Sequence, residues 1–184
     1  MFLLLNVLAF KAAWAASVVG GAQQMPWLGP LAVLVAIMLH LFRAERPLQE
    51  MLLVISAGLI GTIFDSQLLT AGWVSYTAGL YSDFVAPYWI TTMWMLFATT
   101  LNVSMRWLRG REAVAALLGL IGGPLAYIAG QKIGAIVLIE QTTALIALGV
   151  GWAVMMPLLV RLSIYLDGME DVDKTAAAYA GGPA

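Results

Sequence analysis

Four groups of polar side chains interrupt long apolar runs in this sequence. Lys11 stands in FLLLNVLAFKAAWAAS, with Asn6, Trp14 and Ser17 nearby. On a helix, Lys11 and Trp14, three apart, share a face, whereas Asn6 and Lys11, five apart, do not. Asp65 stands in GTIFDSQLLTAGW, next to Thr62, Ser66 and Gln67. The run GGPLAYIAGQKIGAIVLIEQTT supplies Tyr127, Gln131, Lys132, Glu140 and Gln141. His40, Thr99, Thr100, Asn102 and Arg106 lie beside arginine-rich segments. An ionisable group at the centre of an apolar helix costs about 2.5–3.5 kcal/mol on insertion scales. It must therefore pair, find water or become neutral.

These residue types allow a short set of chemistries. Asp65 is expected to face the interior with Lys132 or Lys11 as partner, or with Tyr127 or Gln131 as hydrogen-bonding substitutes. Asp65 and Glu140 could form an acid–base pair tuned by Lys11 or Lys132. Lys11, Asp65, Tyr127, Gln131, Lys132 and Glu140 are thus the candidates for contact with a ligand. His40, Asn102 and Arg106 are candidates for holding a lipid phosphate, with Asn102 and Arg106 four apart on one helix face. Each group also has a structural reading: pairs that orient helix ends, and cations that mark one side of a membrane.

Several functions are excluded for lack of parts. The chain has no Cys and one His, so disulfides, thiolate metal sites, multi-histidine metal sites and a haem held by two histidines are ruled out. No metal and no cofactor are expected. There is no GxSxG elbow, HExxH pair, Walker loop or pair of Asp-rich prenyl-binding motifs. A Ser/His/Asp triad would need His40 and Asp65, which fall near opposite ends of the helices. Net charge is −1, with no basic stripe for nucleic acid.

The elements that carry these residues follow from composition. Of 184 residues, 62% are hydrophobic and 10% charged, with a mean hydropathy of +0.91. Soluble domains run at about 45–50% apolar and about 25% charged. The expected fold is all-α: one polytopic membrane domain over 1–166, a bundle of six transmembrane helices near 2–20, 26–42, 50–72, 86–105, 112–131 and 141–166. The stretch 133–139 is too short to cross alone; it extends the fifth helix, forms an interfacial turn or begins the sixth. The first segment reads as a retained helix rather than a cleaved signal, since no basic residue precedes its apolar run. Arg43, Arg46, Arg106, Arg109 and Arg111 crowd two even-numbered connections, while GGAQQMP and 71–87 carry no cation. The positive-inside rule puts both termini in the cytoplasm.

Further expectations concern detail. Trp27, Trp73, Tyr76, Tyr81, Tyr88 and Trp89 read as anchors at one interface and Trp107 at the other. The 73–88 connection reads as a loop along the membrane surface, with folding over the outer mouth of the bundle as the alternative. Gly58, Gly61, Gly119, Gly122, Gly123, Gly149 and Gly151 mark close helix packing. Pro124 should bend the fifth helix beside a cavity lined by Tyr127, and Pro157 should bend the sixth. Residues 167–184 read as an acidic, solvated and mobile cytoplasmic tail.

Four runs carry a resemblance: PWLGP (26–30), IFDS (63–66), LFATTLNVSMRWL (96–108) and GGPLAYIAGQKIGA (122–135). Together they resemble a bacterial inner-membrane family known as a domain of unknown function. The resemblance implies a multi-pass protein of the inner membrane. Its family's genes often accompany fatty-acid-modifying enzymes, which implies a lipid-related task. In that family a His often follows the Asn of the TTLN run; here Val103 stands there, which bears against any role resting on that His. The leading expectation is a protein that binds a lipidic or amphipathic molecule between its helices, with a part in lipid modification. Two others stand beside it: a small transporter component with a polar path through Lys11 and Asp65, and a non-catalytic assembly subunit. Expected partners are membrane lipids, with a second copy or a partner membrane subunit left open.

Overall fold

The computed structural model describes residues 2–169. Six helices account for most of the chain: α1 (Phe2–Ala22), α2 (Leu28–Leu41), α3 (Pro47–Thr70), α4 (Tyr88–Leu101), α5 (Glu112–Ile133) and α6 (Gln141–Tyr165). A short 3₁₀ turn covers Arg106–Leu108. Two three-residue strands, β1 (Val74–Tyr76) and β2 (Ile136–Leu138), complete it.

Local chemistry sets several ends. Pro47 opens α3 at a position whose N–H has no helical partner, and the preceding Arg46 is accordingly non-helical. Gly134 closes α5 in the left-handed region at φ 96°, where a side chain would be strained. Pro124 and Pro157 lie inside continuous helices.

Four helices, α1, α3, α5 and α6, are long and apolar enough to cross a membrane. Helices α2 and α4, at 14 residues each, are shorter than the sequence suggested. Such a helix rises only about 21 Å. Their expected ends are turns: Leu28 N bonds to Met25 O at 3.1 Å, and Met105 N to Thr100 O at 2.9 Å.

Polarity is distributed inside out relative to a soluble protein. Leu4, Leu8, Leu34, Leu59, Ile63, Ile121, Leu125, Ile146 and Val154 are exposed. Asn6, Ser17, His40, Glu50, Asp65, Thr99, Thr100, Asn102 and Ser163 are buried. An outer surface of this kind has no reason to exist in water, and it suits a lipid surround.

Sequential helices pair as α1/α2, α3/α4 and α5/α6, and α4 also packs on α1, α2 and α6. The short α4 is thus the central post, burying Trp89, Ile90, Trp94, Leu96 and Ala98. Glycines permit the close approaches. A Cβ on Gly61 would sit 1.9 Å from Trp94 Cγ, and one on Gly119 2.2 Å from the Trp152 carbonyl oxygen.

One end of the bundle is capped. The strands β1 and β2 pair antiparallel in the register Val74↔Leu138, Ser75↔Val137 and Tyr76↔Ile136. The 133–139 stretch therefore supplies a strand, a form the sequence did not suggest. Nor does 73–88 simply follow the surface: Val74, Tyr76, Ala78 and Ala86 are buried, while Tyr81 and Phe84 are exposed. Tyr76 and Trp89, expected as interfacial anchors, are core residues at 3% and 0% exposure. Thr77 and the indole N–H of Trp89 satisfy backbone carbonyls of the cap, at Gly21, Ala135 and Ala78. A loop whose backbone groups find partners inside the protein no longer needs water.

Candidate functional site

A cavity of about 330 Å³ lies between α1, α4, α5 and α6. Phe10 and Trp14 form its α1 wall, Trp94 and Phe97 its α4 wall, and Trp152 and Met156 its α6 wall. On α5 the stripe Leu118, Gly122, Ala126 and the buried Gly119 and Gly123 complete it. The aromatic wall is ordered: Trp94 and Trp152 stack with ring centroids 4.4 Å apart, and Phe97 meets Trp152 edge-on at 5.4 Å. Gly123 lets Trp152 lie against α5, since a Cβ there would sit 2.4 Å from the indole. Gly122 differs, having nothing within 4 Å of its Cβ position. Leu118 and Gly122 are exposed, so the cavity has a mouth along α5 toward the lipid side.

Behind one wall sits Asp65, fully buried on α3. The Tyr76 hydroxyl donates to Oδ1 at 2.6 Å, and the Tyr127 hydroxyl donates to the same oxygen. Trp94 Nε1 donates to Oδ2 at 2.6 Å. All three partners are neutral ring donors, brought by β1, α5 and α4. Two of them, Trp94 and Tyr127, also line the cavity. Their polar atoms turn to Asp65, so the cavity receives their apolar faces.

At the other end a second carboxylate, Glu50, is also fully buried. Its Oε2 lies 2.8 Å from His40 Nε2. Its Oε1 accepts from Asn102 Nδ2 and from the Gly168 backbone N–H, each at 2.7 Å. With Glu50 ionised, His40 carries its proton on Nε2, and its buried Nδ1 has no partner among the described residues. Arg109 donates to Asn102 Oδ1 at 2.6 Å and to Asp167 at 2.8 Å, and Arg106 also reaches Asp167. Burial pushes the Asp167 carboxyl up, but the hydrogen bonds from Arg109 and Arg106 outweigh this and hold it below the usual carboxylate range. Arg46 N donates to the Gly168 carbonyl at 3.0 Å, closing the strap over Glu50.

The sequence profile of a family described as "Protein of unknown function (DUF2878)" matches residues 3–158. The chain belongs to the DUF2878 family. No curated protein and no solved structure matches it. The matched stretch runs from α1 to the last turns of α6, so it contains the whole cavity and both buried carboxylates.

Within this DUF2878 chain the sequence-predicted residues separate into three sets. Asp65 and Tyr127 come together as the fallback expectation had it, but neither lysine joins them. Lys132 is exposed near the end of α5 and Lys11 is exposed on α1. Three rings fill the Asp65 oxygens, which removes the need for a cation. Gln131 is half-buried and Glu140 is exposed just before α6, so no Asp65–Glu140 acid–base pair forms. His40, Asn102 and Arg106 do converge, around Glu50 and Asp167. Asn102 and Arg106 do so without sharing a helix face, because α4 ends at Leu101 and a turn separates them.

Sequence reasoning missed four residues. Trp94 carries no signal beyond apolarity, and Tyr76 reads as an interfacial anchor. Glu50 looked like one more loop charge after the arginines. Asp167 reads as the start of the tail, yet Asp167, Gly168 and the buried Met169 pack onto the bundle. The remainder of the expected mobile tail lies outside the described residues. Among the described residues no cluster of three or more His, Asp or Glu could hold a metal.

Proposed function

We propose that this protein binds the apolar chain of a lipidic or amphipathic molecule within the bilayer. The carrying observation is the 330 Å³ cavity, walled by aromatic rings, methionines and glycines, with a mouth along α5. Binding sites for small molecules have volumes of about 300–1,000 Å³ and are mostly apolar. A void of this size lined by apolar groups loses dispersion contacts unless something fills it. Rings stacked on one another and glycines pressed against them keep the walls in place, so a chain enters a preformed space.

The membrane setting belongs to the same reading. We take all six helices as spanning, with α2 and α4 extended by their flanking turns, both termini cytoplasmic, in a bacterial inner membrane. The arginines of the α2–α3 and α4–α5 connections support that orientation. A role in lipid modification remains part of the proposal as a place for the substrate chain to sit. The transporter reading draws no support from the geometry: Asp65 is enclosed by three donors, and Lys11 lies on the outside of α1.

Native mass spectrometry of the protein released from nanodiscs tests the reading. The wild type should retain a lipid-mass adduct. Gly122→Phe places a ring at the open position of the α5 stripe and should lose it, while keeping the wild-type unfolding temperature. Equal retention by both would refute binding in this cavity.

A further inference from the structure

Lys11 is the one cation on α1, about 14 Å along it from Phe2. Its side chain is exposed, and it makes no ion pair among the described residues. A lone ammonium at that depth is costly, and the described residues offer it no counter-charge.

Helical geometry places it. Successive residues turn by about 100°, so Trp14 lies about 60° round the helix from Lys11. The buried Asn6 lies about 80° beyond Trp14 in the same sense. Going round α1, the order is therefore bundle interior, cavity wall, Lys11, lipid. Phe10 and Trp14 line the cavity, and Lys11 follows at its edge. Across the gap stand the exposed Leu118 and Gly122 of α5. Lys11 thus rims the mouth, and its flexible stem lets the ammonium reach a group held there.

We propose that the occupant of the cavity is a single-chain anionic amphiphile, with its tail between Trp14, Trp94 and Trp152 and its carboxylate or phosphate head on Lys11. This rests on the chain-binding reading above and adds the chemical class of the ligand. The walls supply no charged partner for a head: the Tyr127 hydroxyl and Trp94 N–H are committed to Asp65, and the Trp152 indole N–H, buried without a partner among the described residues, is neutral. Lys11 supplies one, and an anion there also neutralises the isolated charge. An uncharged head would leave the ammonium as it is.

The test uses the full chain in phosphatidylcholine nanodiscs, with tryptophan fluorescence as readout, since three indoles line the cavity. Bromododecanoate, bromododecyl phosphate and bromododecanol quench nearby indoles. Their concentrations are expressed per lipid, which removes differences in partitioning. In the wild type the two anionic probes should quench at about tenfold lower concentration than the alcohol, the size of one charge-assisted contact. Which anion is the stronger separates a carboxylate from a phosphate source. In Lys11→Met the advantage should vanish while the alcohol still quenches. Lys11→Gln should do the same if the Met variant fails to fold. Equal potency of all three probes in the wild type, or an anionic preference that survives loss of Lys11, overturns the head-group assignment and leaves chain binding standing. Quenching by every probe that Gly122→Phe does not reduce overturns the cavity reading itself.

Discussion

Two fully buried carboxylates, Asp65 and Glu50, sit on the same helix and are solved by different chemistry. Asp65 is held by two tyrosine hydroxyls and an indole N–H, with no charged partner. Glu50 is held by a histidine, an amide and a backbone N–H, with Arg109 one bond further out. The donors at Asp65 come from β1, α4 and α5, so this carboxylate ties the cap and two cavity walls together. The donors at Glu50 come from α2, the end of α4 and the strap after α6, so it gathers one end of the bundle and continues into the half-buried Arg109 and Arg106. The first is a closed knot of uncharged donors around one carboxylate beside the cavity. The second is a charged network that reaches the surface.

The contrast is sharpest in a pair of conservative changes. Trp94 can only donate, so an amide in place of the Asp65 carboxylate leaves at least one buried donor without an acceptor whichever way it turns. His40 can donate or accept, and its proton can move to Nδ1 when Gln replaces Glu50; Nε2 then accepts from the amide, and Nδ1, already without a partner among the described residues, changes from acceptor to donor. Asp65→Asn should therefore destabilise the protein by about 1–3 kcal/mol, and Glu50→Gln by about 1 kcal/mol or less. Unfolding in mixed micelles compares them. A larger loss from Glu50→Gln would invert the comparison.

A smaller effect separates the ends by pH. The Asp167 carboxyl titrates below its ordinary value, because Arg109 and Arg106 favour its charged form over the opposing cost of burial. Its contribution to stability is then complete above the ordinary carboxylate value of about 3.9, and is lost as the pH falls through the lower folded value. Asp167→Asn should be less stable than the wild type at neutral pH, with the two curves converging in acid. Curves that stay parallel down through that range would detach the strap from the network.

The smallest expected effect lies at the exposed Arg161–Glu112 pair, which joins α6 to α5 through two contacts of 2.6 Å. Water screens it, and Arg161→Ala should leave the unfolding temperature unchanged within error. A shift as large as that of Asp65→Asn would mean that surface charge matters as much as the buried knots.

These differences also explain what the sequence made legible. Asp65 stood out because one acid in an apolar helix demands a partner, and Tyr127 was within its reach. Trp94 and Tyr76 did not, because their pairing depends on how α4 is rotated and on a strand register that sets Tyr76 opposite Ile136, 60 residues away in the chain. Neither leaves a periodic mark. The bundle itself was readable from apolar length, since α1, α3, α5 and α6 are long and apolar enough to cross a membrane. The short α2 and α4 were not, because apolar residues continue past their ends, Pro26, Trp27 and Phe42 around α2 and Val103 and Met105 after α4. Glu50 was masked by its arginine neighbours, among which a further charge looks like surface.

The most direct test of the account is an electron-density map of the protein crystallised from a lipidic mesophase. Continuous elongated density should run between Trp14, Trp94 and Trp152 and emerge beside Gly122. A cavity closed by inward rotation of Trp152 or Phe97, with α1 packed directly on α5 and no density between them, would contradict it.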